Sequence, residues 1–82
     1  MLNIEYQKEF LKNISKLKDV GFKEKVKKQV EKIIENPEIG KPMRYNRKGT
    51  REVYISPYRL AYAYSASEER LIFLGIYHKD EQ

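Results

Sequence analysis

REVYISPYRLAYAYS, residues 51–65, decides the fold of this chain. Ser56-Pro57 is a turn signal set between two runs of period two. In the first run Val53 and Ile55 take one face, with Glu52 and Tyr54 opposite. In the second, Leu60, Tyr62 and Tyr64 share a face, and Arg59, Ala61 and Ala63 lie on the other. The stretch therefore predicts two antiparallel strands joined by a tight turn, with one arginine, Arg59, just beyond it. A charge placed this closely inside an apolar, tyrosine-rich hairpin marks a candidate site.

Working outward, residues 65–69 are a polar turn, and Arg70 to Tyr77 is nearly unbroken apolar sequence. A strand apolar on both faces belongs in the interior of a sheet. Upstream, Asn46 to Gly49 reads as a turn, and Gly40 and Pro42 mark a loop. Leu2, Ile4 and Tyr6 alternate with polar residues as a short strand does. Tyr6, Phe10, Ile14 and Leu17 then recur at helical spacing, and Gly21 is expected to break that helix. Phe22, Val26, Val30, Ile33 and Ile34 make a second amphipathic helix, ended by Asn36-Pro37. The few residues between the helices leave space only for a helical hairpin. The expected fold class is α+β, in the order β-α-α-β-β-β. An antiparallel sheet carries the two-helix hairpin on one face and leaves the other open.

Eighty-two residues make one domain, 1–82, with no space for two cores. Cysteine is absent, so no disulfide framework and no thiolate metal site are expected. No cofactor and no metal ligand cluster is expected either, since one histidine and scattered carboxylates do not make a site. The first residues contain no long apolar run, so the reading is a cytoplasmic protein with no membrane partner. The net charge is +5 and it is uneven: residues 1–40 carry +2, residues 41–59 carry +5, and residues 60–82 carry −2. The first segment uses lysine alone, as a solvated helix face does. The second turns mostly to arginine beside tyrosines, which suits bidentate phosphate contacts and stacking on bases. Its Arg44, Arg47, Lys48 and Arg51, with Tyr58, are the candidate RNA-binding residues.

These residues together resemble the RelE/ParE superfamily of bacterial and archaeal toxins. The likeness runs through the lysine-rich helical hairpin, Asn36-Pro37, the "KPMR" of Lys41 to Arg44, the "YRLAYAY" of Tyr58 to Tyr64 and the terminal "GIYHKDEQ" of Gly75 to Gln82. It implies a type II toxin–antitoxin toxin, neutralised by a small RelB-like antitoxin in a hetero-oligomeric complex. RelE-branch members cleave mRNA in the ribosomal A site, so ribosome and message are implied partners. ParE-branch members inhibit DNA gyrase, the first alternative; a decayed RNA- or antitoxin-binding module is the second. Arg59 matches the family's central arginine. Lys79 sits where RelE-type toxins carry a second basic residue, and His78 where some relatives have histidine. Glu52 and Tyr54 depart from the pattern, standing at about the positions of two family lysines. No tyrosine follows Lys79 before Gln82, where RelE-type toxins have one.

Metal-independent RNA cleavage by transesterification removes the 2′-hydroxyl proton, stabilises the extra charge on phosphate and protonates the leaving 5′-oxygen. Arg59 suits the charge, because guanidinium is planar, always charged and grips two oxygens. Histidine titrates near neutrality, which makes His78 a candidate proton carrier. Lys79 is a candidate catalytic or phosphate-positioning group. Glu52 is a base or orients Arg59, and the orienting role is favoured because neighbouring arginines make a carboxylate a weaker base. Tyr54 completes the candidate catalytic set. Tyr54, Tyr58 and Tyr77 are placed to stack on bases or donate a hydrogen bond, whereas Tyr62 and Tyr64 read as core.

Overall fold

A computed structural model describes residues 1–43 and 49–78. Along them run β1 (Asn3–Tyr6), α1 (Lys8–Lys16), α2 (Val20–Glu35), β2 (Lys41–Pro42), β3 (Thr50–Ile55), β4 (Tyr58–Ser65) and β5 (Arg70–His78). The period-two hairpin is present as β3 and β4, paired in register from Thr50–Ala63 to Ile55–Tyr58. One sheet has the order β1-β5-β4-β3-β2, so the doubly apolar β5 lies inside it.

Two features of the sheet differ from the sequence expectation. β2 to β5 are antiparallel, but β1 joins β5 in parallel, from Asn3–Arg70 to Tyr6–Phe73, and the sheet is mixed. Alternation in sequence records the face of a residue and says nothing of strand direction. The connection from β1 to β5 runs through both helices and three strands, long enough for the parallel approach that a tight turn forbids. The segment Gly40 to Pro42, expected as loop, holds the short edge strand β2 against Arg51 and Glu52. Proline is tolerated there because an edge strand has a side that needs no donor.

The helix boundary also moves. α1 stops at Leu17, and Gly21 lies inside the first turn of α2 instead of ending α1. Asp19 sets that start: its Oδ1 accepts from the Phe22 N–H at 3.2 Å, satisfying an otherwise orphaned helix donor. α2 ends as expected at Asn36, whose Oδ1 accepts from Glu38 N.

The core lies between the helices and one sheet face. Phe10 of α1 and Val26 and Ile33 of α2 are buried against Leu60, Tyr62, Leu71, Phe73 and Ile76. Between β4 and β5 the register shifts: Ala61 faces Gly75, but Tyr62 faces Phe73, so Leu74 is the extra residue of a bulge. The amide of Ile76, next to this irregularity, donates to Asn13 Oδ1 of α1 at 2.9 Å. Gly75 lets the helix approach, since a Cβ there would stand 3.2 Å from the same oxygen.

Tyr62 fastens the loop after α2. Its hydroxyl accepts from Gly40 N at 2.8 Å and donates to Pro37 O at 2.7 Å. Burial pushes the phenol pKa up, against the lowering effects of the Gly40 N–H and the Arg51 cation. Gly40 has to be glycine, because a Cβ would fall 2.8 Å from Tyr62 Cε1 and Cζ. Tyr62→Phe strands a buried donor and an acceptor, and the expected cost is about 1–3 kcal/mol, read as a lower urea midpoint at unchanged slope.

Candidate active site

Strand register assigns each side chain to a face. Tyr54, Arg59 and Tyr77 are direct partners across β3, β4 and β5, so they form one row on the side away from the Leu60–Ile76 core row. Glu52 lies two residues from Tyr54 on the same face of β3. Arg59 Nη1 donates to Glu52 Oε1 at 2.8 Å, and the Tyr77 hydroxyl donates to Glu52 Oε2 at 2.8 Å. Both carboxylate oxygens are therefore engaged, and Glu52 is the more enclosed partner, 18% exposed against 31% for the Arg59 side chain.

This geometry fixes an arginine without exhausting it. Of the five donors on Arg59, one is used toward a described residue, and the guanidinium is free to offer a second edge to two oxygens of a ligand. Tyr54 stands beside it, more than half exposed, with its hydroxyl 3.4 Å from Ser56 Oγ. The row thus presents a cation flanked by an exposed aromatic ring, with a carboxylate holding the cation and a phenol bracing the carboxylate. Such a row can bind a phosphodiester and an adjoining base.

The other candidates fall elsewhere. His78 pairs with Tyr58, on the face of Leu60, and packs edge-on against the Tyr58 ring at 5.4 Å. Tyr58 also meets Phe22 of α2 at 5.0 Å. Register therefore separates both from Arg59. Arg51 lies on the core side opposite Tyr62, where its Nη1 donates to the carbonyls of Gly40 at 2.8 Å and Glu38 at 3.0 Å. This bonding makes it a clamp on the loop after α2. Arg44, Arg47, Lys48 and Lys79 lie outside the described residues. Tyr77, expected to stack on bases or to donate a hydrogen bond, donates from its hydroxyl to Glu52; sequence reasoning did not identify that partner. Among the described residues, no group of three or more His, Asp or Glu could hold a metal ion, and no helix is long and apolar enough to cross a membrane.

Comparison with known proteins gives a family and a fold. The profile of the ParE toxin of type II toxin–antitoxin systems matches residues 4–82. No curated protein sequence matches the chain. The toxin chain of the intact Escherichia coli RelBE toxin–antitoxin complex superposes with a TM-score of 0.79 at 19% identity, covering 95% of this chain and 96% of that one. The RelBE2 complex of Mycobacterium tuberculosis gives 0.78 at 20% identity, with 95% and 98% covered. The YoeB/ParE toxin of Agrobacterium tumefaciens gives 0.80 at 15% identity, with 94% and 98% covered.

Proposed function

Because this chain belongs to the ParE toxin family of type II toxin–antitoxin systems, within the RelE/ParE superfamily, we propose that it blocks translation by cutting mRNA on the ribosome. A small RelB-like antitoxin holds it silent, as the relatives solved in toxin–antitoxin complexes suggest. One observation carries the nuclease reading: Arg59 is held on an open sheet face by Glu52, itself braced by Tyr77, with donors to spare, beside the exposed ring of Tyr54.

In this proposal the 2′-oxygen attacks the neighbouring phosphorus, the P–O5′ bond breaks, and a 2′,3′-cyclic phosphate forms. Arg59 binds two phosphate oxygens and stabilises the charge that builds on them. Glu52 orients Arg59; with both oxygens already accepting hydrogen bonds, it is poorly placed to take a proton. Tyr54 flanks the phosphate. His78 faces the helix side of the sheet, away from Arg59, so proton transfer is assigned to Lys79, with Arg44, Arg47 and Lys48 as phosphate contacts.

Glu52→Gln tests the orienting role. It keeps the size of the side chain and removes the charge that aims Arg59. The expected result is a cleavage rate lower by roughly tenfold to a hundredfold, from misplacement alone, with message affinity unchanged. A rate equal to that of wild type would remove Glu52 from the mechanism.

Inhibition of DNA gyrase is the second reading, favoured by the ParE profile itself and by Glu52 and Tyr54 standing where RelE-type toxins carry lysines. Pulse labelling after induction separates the two. Under the nuclease reading amino-acid incorporation stops first, and purified gyrase supercoils DNA normally in excess toxin. Early arrest of DNA synthesis, with supercoiling inhibited, would replace the nuclease by the gyrase inhibitor.

A further inference from the structure

The α1–α2 turn and the β3–β4 turn face each other across an open groove of about 610 Å³. Leu17, Phe22, Pro57 and Tyr58 give it an apolar, aromatic floor. Lys16, Lys18 and Lys25 line its rim; all three are exposed, and none forms an ion pair with a described residue. Asp19, the one acid of the lining, already accepts from Phe22 N as the α2 cap. Three cations and a single acid therefore surround the apolar surface, and none of the three is in an ion pair with a described residue. In sequence they read only as part of a solvated lysine face.

The position of the groove suggests its occupant. Tyr58 forms its wall, and the next residue is Arg59, which points to the opposite side of the same hairpin end. A single strand whose phosphate lies on Arg59 and passes Tyr54 needs only to cross the Ser56–Pro57 turn to enter the groove. There it meets spaced ammonium groups and the Phe22–Tyr58 ring pair, the combination that binds single strands without sequence preference. We propose that the groove is a second RNA subsite, in which Lys16, Lys18 and Lys25 hold phosphates of the message strand continuing from Arg59. The inference rests on the RNA reading above.

The test uses the full chain and 5′-fluorescein-labelled 2′-O-methyl oligouridylates, which lack the nucleophile and stay intact. Wild type is compared with a Lys16→Gln, Lys18→Gln, Lys25→Gln triple variant and with Arg59→Ala. A short and a long probe, of about two and about six nucleotides, distinguish one subsite from two. Wild type should bind the long probe more tightly, and the triple variant should lose that gain while still binding the short one. Its salt slope for the long probe should fall by about 2, from roughly 0.7 per phosphate contact, so wild type loses about twentyfold more affinity between about 50 and 200 mM salt. Arg59→Ala should weaken both probes. An unchanged length dependence and salt slope in the triple variant overturn the subsite. So does a triple variant whose loss is confined to the antitoxin, which would give the groove to an acidic peptide. A wild-type protein that binds neither probe and cuts no message in a translating extract overturns the RNA reading and the subsite with it. Cutting by wild type and triple variant at equal rates, with equal length dependence, overturns the subsite alone.

Discussion

Arg59→Ala should lower message cleavage by about 10²–10³ while leaving the fold intact, because one preorganised charge is removed from the transition state. The side chain is partly exposed, and its ion pair with Glu52 is too wet to contribute more than about 1 kcal/mol to stability. Glu52 keeps its bond from Tyr77 when the arginine is gone, so no buried carboxylate is left bare. Growth inhibition should disappear on induction, the urea midpoint should stay near that of wild type, and the antitoxin should still bind. Arg59→Lys should recover little, since a lysine carries the charge without the planar fork that grips two oxygens side by side. A toxic Arg59→Ala protein would remove Arg59 from the site.

The largest effect on stability is expected from Phe73→Ala. Phe73 is fully buried where β1, β4, β5 and α1 meet. Its ring stacks on Tyr6 at 5.3 Å and tilts against Phe10 at 5.4 Å and Tyr62 at 6.2 Å. Truncation leaves a cavity bounded by three aromatic rings, and the expected loss is about 3–5 kcal/mol. A domain of this size has a total stability of roughly 4–12 kcal/mol, so the variant should be largely unfolded or melt in little denaturant. Phe73→Leu should cost much less, because most of the volume remains. A loss below about 1 kcal/mol for Phe73→Ala would mean that the helix–sheet core does not hold the fold together.

The hairpin of β3 and β4 was legible in the sequence because period two, a proline turn and an apolar face all agree there. The helices were legible from their spacing, and Asn36-Pro37 marked the end of α2. Direction was not: nothing in Leu2, Ile4 and Tyr6 says that β1 lies parallel to β5. Gly21 misled because the cap at Asp19 starts α2 before the glycine, and a helix tolerates one glycine in its first turn. The site suffered most from the bulge. Counted from the Ser65–Arg70 pair without interruption, Arg59 would oppose Ile76 and share a face with His78. The extra residue at Leu74 shifts that register by one, which puts Tyr77 opposite Arg59 and sends His78 to the helix side. Gly75 was the only local sign of it, as glycine inside a strand often is. The Tyr77–Glu52 bond follows from that shift and could not be read from either strand alone.

The most direct test of the account is primer extension on a message translated in a cell extract, with wild-type toxin and Arg59→Ala side by side. The account predicts discrete breaks within the translated region, absent when ribosomes are withheld, strongly reduced with Arg59→Ala and suppressed by the antitoxin. A message that stays intact with wild-type toxin at concentrations that arrest growth would contradict it, because the Arg59 row would then serve a partner other than RNA.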